Sequence, residues 1–148
     1  MRCLTIRQPW ATLVALGEKN YETRSWRTAY RGELAIHAGL KIDKAACRRE
    51  PFQSLLAKLG YTEGNLPTGV IIATGKLKEC HGITGLNGIT GLNGVAQWIS
   101  ENERAFGDYT EGRFAWELED VRPLVHPVPA KGRLGFWEYP LSDEEEHF

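Results

Sequence analysis

The chain holds only three cysteines, Cys3, Cys47 and Cys80, odd in number, far apart and without a CxxC or CxxxC spacing. That argues against a disulfide framework or a zinc ribbon and makes all three read as reduced thiols, with Cys3 and Cys47 candidates for burial. Long apolar runs are missing as well. Nothing approaches the roughly 18 residues of a membrane-spanning helix, and the opening MRCLTIRQPW lacks the uninterrupted apolar region of a secretory leader. No membrane is expected as a partner, and a cytoplasmic location is the expectation. No GxGxxG or Walker loop is present, so no nucleotide cofactor is indicated and none of another kind is expected. Serine is scarce, and Ser25 has no evident histidine partner for a triad. His81 beside Cys80 and the isolated His37 lack further ligands at suitable spacing, so no metal site is expected.

A strong net charge is absent too: a value of −1 on its own argues against a strongly nucleic-acid-binding surface. Its distribution says more. Residues 1–49 carry ten Lys or Arg against four acids, a balance of +6, and the remainder sums to −7. A solvated helix face at Lys41 to Arg49 accounts for part of the excess; a local site for an anionic ligand accounts for the rest. Part of the deficit is the acid run SDEEEHF at Ser142 to Phe148, which reads as a solvated, disordered end. With 148 residues, 42% of them hydrophobic, and five tryptophans, there is material for one core. The expected organisation is a single domain over 1–140 and an acidic tail over 141–148.

The densest opposed charge lies in GEKNYETR, Gly17 to Arg24. Before it, WATLVAL follows Pro9, whose fixed φ suits a first helical turn, and stops at Gly17, a residue that terminates helices in the left-handed conformation. Lys19 is therefore placed just past a helix end. From Tyr21 the chain reads as a strand, whose period of two puts Glu22 and Arg24 on one face and Tyr21 and Thr23 on the other.

The pattern Gly-x-Lys-x-x-Glu-x-Arg, carried by Gly17, Lys19, Glu22 and Arg24, resembles the signature of the ASCH domain, the activating signal cointegrator homology region related to the PUA domain. LTIRQPWA at Leu4 to Ala11 resembles the family's opening strand and helix start, GELAIHAG at Gly32 to Gly39 its next strand, and KGRLGFWEY at Lys131 to Tyr139 its closing strand. The resemblance implies a small PUA-like barrel with a cleft beside the first helix, in a superfamily that mostly binds RNA or modified nucleobases. It implies no single reaction. A bacterial amidohydrolase of the family, acting on acetylated cytidine, uses the motif's Lys with a Thr where this chain has Glu22. Lys19 is kept and that nucleophile is lost; Thr23, one place along a strand, turns to the opposite face. Other members are ribonucleases, for which this chain offers Lys19, Glu22 and His37 as acid–base groups.

Strands are predicted over Leu4 to Arg7, Leu34 to His37, Thr68 to Leu77, Arg113 to Leu118 and Leu134 to Tyr139, with an extended edge segment over Val121 to Val128 that contains Pro123 and Pro127. Helices are predicted over Pro9 to Leu16, from an Asp43 cap toward Leu59 with a break at Pro51, and over Val95 to Arg104. The hexapeptide GITGLN occurs at Gly82 to Asn87 and again at Gly88 to Asn93 and reads as an expanded loop. The fold class is α+β: a mixed, mainly antiparallel barrel of about six strands with flanking short helices.

Candidate site residues follow from chemistry. Lys19 and Arg24 suit a phosphate or a base carbonyl, and Glu22 suits an exocyclic amine or general-base work. Arg7, Gln8 and Trp10 lead into the first helix and belong to the cleft rim, with Trp10 either a stacking surface or a core aromatic. His37 is a cleft group if its strand face is open, and otherwise a buried structural histidine. Arg133 and Trp137, after Lys131, form either a second wall of a groove or a closing strand with a basic approach loop. Three functions stay open: a reader of RNA or a modified nucleobase, a hydrolase acting on RNA or on an acylated nucleoside, and a protein-interaction domain.

Overall fold

The computed structural model describes residues 1–84, 88–91, 94 and 96–141. The acidic run 142–148 and parts of both hexapeptide copies lie outside the described residues. In chain order the elements are β1 (Arg2–Gln8), α1 (Trp10–Ala15), β2 (Tyr21–Arg24), β3 (Gly32–Ile42), α2 (Lys44–Cys47), α3 (Phe52–Lys58), β4 (Val70–Ile83), β5 (Gly88–Thr90), β6 (Ala96–Trp98), α4 (Glu101–Phe106), β7 (Phe114–Pro129) and β8 (Phe136–Glu138). No helix among the described residues is long and apolar enough to cross a membrane.

All eight strands join one sheet, in the order β2-β7-β4-β3-β1-β8, with β5 added to β4 and β6 to β5. Among the described residues only β1 and β3 run parallel; the other ladders are antiparallel. The expected mixed, mainly antiparallel α+β sheet with short helices is present. The barrel, however, does not close: the hydrogen-bonded path has two ends, β2 and β8. Side chains span the gap instead. Arg24 donates from Nη2 to the Thr5 carbonyl at 2.9 Å. Trp26, just after β2, packs edge-on to Trp116 at 4.6 Å and to Phe136 of β8 at 5.7 Å.

Alternation along the strands builds a core on each face of the sheet. Leu4, Ile6, Leu34, Ile36, Leu77, Trp116 and Leu118 pack with Ala11, Val14 and Ala15 of α1. Cys3, Ala35, Ile71, Leu124, Val128 and Trp137 fill the opposite face. A third cluster, Leu13, Cys47, Phe52, Leu56, Leu66 and Phe106, fastens α2, α3 and α4 to the far side of α1. The break expected at Pro51 separates α2 from α3, and the Asp43 side chain caps α2 by accepting from the Ala46 amide at 2.9 Å.

Three local expectations are corrected. In place of the helix expected over Val95 to Arg104, whose Val95 lies outside the described residues, Ala96–Trp98 form β6 and Glu101–Phe106 form α4, because the Ser100 hydroxyl accepts from the Glu103 amide and starts the helix there. Arg113 to Leu118 and Val121 to Val128 are one strand, β7, continuous through Asp120 at φ +52. Pro123 and Pro127 are tolerated because β2 pairs with Phe114 to Glu117 and, past the Leu118 amide bonded to the Asn20 carbonyl, no strand among the described residues pairs with that edge of β7. The repeat is no mere loop. Gly82 and Ile83 of the first copy end β4, and Gly88–Thr90 of the second form β5 against them, with Ile83 opposite Ile89.

Candidate functional site

The α1 terminus aims Lys19 inward. Gly17 adopts φ +77, and the amides of Glu18 and Lys19 both return to the Leu13 carbonyl, at 2.9 and 3.1 Å. The Lys19 side chain is only 1% exposed. Its ammonium donates to the Tyr21 carbonyl and lies 3.5 Å from Glu22 Oε1. Glu22 sits on β2 opposite Trp116 and is itself buried. Its second oxygen, Oε2, accepts from Arg24 Nη2 at 3.2 Å. One carboxylate is thus held between two cations, one buried and one a quarter exposed. A buried charge without a partner is costly, so this arrangement is what makes a buried Lys19 tolerable.

A second carboxylate stands behind it. Glu103 is buried on α4 and accepts the Asn20 amide through Oε2 at 2.6 Å, which ties α4 to the segment carrying Lys19. Its other oxygen, Oε1, is buried without a hydrogen-bond partner among the described residues. Burial pushes the Glu103 carboxyl above its ordinary range, against the pull of the Asn20 amide and the Lys19 charge. The neighbouring Tyr109 hydroxyl is likewise buried and unpartnered, and burial raises it strongly. Glu103 was not among the sequence candidates. Its signal was Ser100-x-x-Glu103, the spacing of a capping box whose acid here reaches across to Asn20 instead of back to its own helix.

Around this cluster opens a cleft of about 830 Å³ in which Lys19, Glu22 and Arg24 share the wall with Trp10, Trp26 and the chain from Ala105 to Asp108. Arg7, Lys41, Arg49, Arg113 and Arg133 bring further cations to its lining. Among the described residues seven cations face two carboxylates, Glu22 and Asp108, a net of five positive charges on a chain whose own net charge is −1. Arg7 stacks its guanidinium over Trp10 at 5.3 Å, and Trp10 in turn packs edge-on to Phe52 at 5.8 Å while its indole N–H donates to the Phe106 carbonyl. Trp10 therefore serves the core with one edge and the cleft with another.

Of the residues singled out from sequence, Lys19, Glu22, Arg24, Arg7, Trp10 and Arg133 line this one cleft. Gln8, His37 and Trp137 do not. Gln8 is fully buried, donating to Thr12 Oγ1 and the Pro67 carbonyl at 2.7 Å each while accepting the Thr12 amide. His37 and Trp137 lie under the opposite face of the sheet, ring against ring at 5.2 Å. The geometry fixes a chain of donors there: Trp137 Nε1–H to Thr5 Oγ1, the Thr5 hydroxyl to His37 Nδ1, and His37 Nε2–H to the Ala130 carbonyl. Burial lowers the His37 imidazole below its ordinary value, in keeping with that neutral tautomer. Gly132 rests on this pair. A Cβ there would fall 2.7 Å from Thr5 Oγ1 and 2.8 Å from His37 Cε1. His37 and Trp137 thus seat the loop that carries Arg133 into the cleft without entering it themselves. Lys41, Arg49 and Arg113 join the site by tertiary packing, and the first two had read as a solvated helix face.

Comparison with known proteins agrees with this architecture. The family model described as the ASCH domain matches residues 4–127. Activating signal cointegrator 1 is 51% identical in the human protein and 53% in the mouse protein, each over 139 residues and 92% of this chain. The chain spans about a fifth, 22%, of the length of those relatives. In fold it is similar to the crystal structure of ASCH from Zymomonas mobilis, at a TM-score of 0.51 and 16% identity, covering 97% of this chain and 89% of the other.

Proposed function

The chain belongs to the ASCH domain family, and from that premise and the geometry of the cleft we propose that it binds single-stranded nucleic acid, RNA first. The observation that carries this is the gathering of seven cations against two carboxylates around one cleft. Strands of sequence as distant as Arg7, Arg49, Arg113 and Arg133 supply them, so the concentration is a product of the fold and not of one basic run. Trp10 and Trp26 provide aromatic surface beside the cations, the combination by which single-strand binders hold backbone and bases together. The family's association with RNA selects among anionic polymers.

Reading, rather than cleaving, is the role this site supports. Of the three groups expected for acid–base chemistry, His37 sits on the other face of the sheet, and Lys19 is engaged by a backbone carbonyl and by Glu22. The test is equilibrium binding of a labelled single-stranded RNA by fluorescence anisotropy, with Arg7→Gln and Arg133→Gln beside the wild type. Each exposed cation removed should weaken binding without altering the fold. Undiminished affinity in the double variant would place the ligand elsewhere.

A further inference from the structure

We infer that the deep end of the cleft reads an imide edge, the carbonyl, N–H, carbonyl sequence shared by uracil and thymine; the inference rests on the cleft being a nucleic-acid groove. The Glu22 carboxylate lies between two donors, with Oε1 facing Lys19 Nζ at 3.5 Å and Oε2 facing Arg24 Nη2 at 3.2 Å. Read along the wall, the protein presents donor, acceptor, donor. A carboxylate accepts only and has about four lone-pair sites, so two contacts leave it capacity for a third. The Lys19 ammonium has three hydrogens, of which the Tyr21 carbonyl and Glu22 engage two. Arg24 commits Nη2 to Thr5 and Glu22, and its Nε and Nη1 have no acceptor among the described residues. All three side chains line the cleft.

An imide is the complement of that pattern. Its two carbonyl oxygens accept from the flanking cations while its ring N–H donates to Glu22. Cytosine and adenine carry an amine next to a bare ring nitrogen. In register, they set a lone pair against the carboxylate; shifted by one place, they make two of the three contacts and leave one cation unmatched. Guanine offers its carbonyl and N1–H but turns its 2-amine toward the remaining cation. Trp26, next to Arg24 on the same wall, supplies a face on which the flat ring can lie.

The test uses oligonucleotides of about eight residues, a typical single-strand site size, each carrying one central base on an otherwise abasic backbone, in ribose and deoxyribose series. Uracil or thymine should bind about tenfold more tightly than cytosine or adenine, as one hydrogen bond in a desolvated site predicts. N3-methyluracil, which lacks the imide N–H, should fall to the level of cytosine, a result that depends on no protein variant. Glu22→Gln should erase the preference, since its amide adds a donor where an acceptor is needed. A ribose advantage would assign uracil of RNA as the source; equal series would assign the imide itself. Equal affinity for every base, with salt-sensitive binding retained, overturns the imide reading and leaves the groove standing. No binding of any oligonucleotide at low salt overturns the groove as well.

Discussion

Raising the salt concentration should weaken nucleic-acid binding by an amount the cleft itself sets. Five positive charges remain once Glu22 and Asp108 are set against the seven cations of the lining. If each neutralises one phosphate, the affinity of a single strand falls with salt at a slope of about −3.5 on logarithmic axes. Between about 50 and 200 mM monovalent salt that is a loss on the order of a hundredfold. Anisotropy titrations at four or five salt concentrations measure the slope directly. Arg133→Gln should make it shallower by about 0.7, because one fewer counterion is released, while Lys58→Gln, on α3 and outside the cleft lining, should leave it unchanged. Arg133 is exposed and free to follow a phosphate. A slope near zero with tight binding, or equal changes in the two variants, would refute the assignment of the cleft as the place where the backbone lies.

Three further outcomes follow from the buried groups. Glu22→Ala should destabilise the fold by about 3 to 5 kcal/mol, since it strands buried Lys19, whereas Lys19→Met, which leaves Glu22 paired with Arg24, should cost clearly less; urea unfolding compares the two. Because Glu103 has its folded carboxyl value raised above the ordinary 4.5, the unfolded chain ionises first, so its contribution to stability is full below that value and is lost as pH rises through the interval above it. Glu103→Gln should therefore lose less stability than the wild type between acid and neutral pH, and a parallel pH profile for the two would contradict this. Gly132→Val should lift the Arg133 loop from Thr5 and His37, where even a Cβ would sit within 3 Å of both, and so weaken RNA binding more than Arg133→Gln does alone.

Much of this was legible in the residues, for local reasons. Gly17 ending α1, Asp43 capping α2 and the shared face of Glu22 and Arg24 depend on backbone conformations a few residues long. What was not legible depends on packing across the chain. Alternation puts His37 on the face opposite Ile36, but β3 is covered on both faces, so the side that could have opened on a cleft is a second core. Trp98 and Ile99 fit a helical stripe as well as a strand, and only the Ser100 cap breaks the tie. Lys41 reaches the cleft on β3, paired with β1, Arg49 because α2 and α3 dock on α1, and Arg113 because β7 lies beside β2, contacts that no short window contains. Closure of the barrel turned on which strand edges find each other, and there indole rings and one guanidinium took the place of a ladder.

Within this sheet the two copies of the hexapeptide pair with each other. Ile83 and Ile89 occupy the same place in the two copies, and they face each other across β4 and β5, both buried with Ile99 and Ala115. Each copy thus supplies a strand edge and an apolar residue that the other matches. Because the two isoleucines cover one another, the repeat shelters part of its own hydrophobic surface at the end of β4. None of the repeat's described residues lines the cleft, so this extra strand pairing sits at the end of β4 apart from Lys19, Glu22 and Arg24.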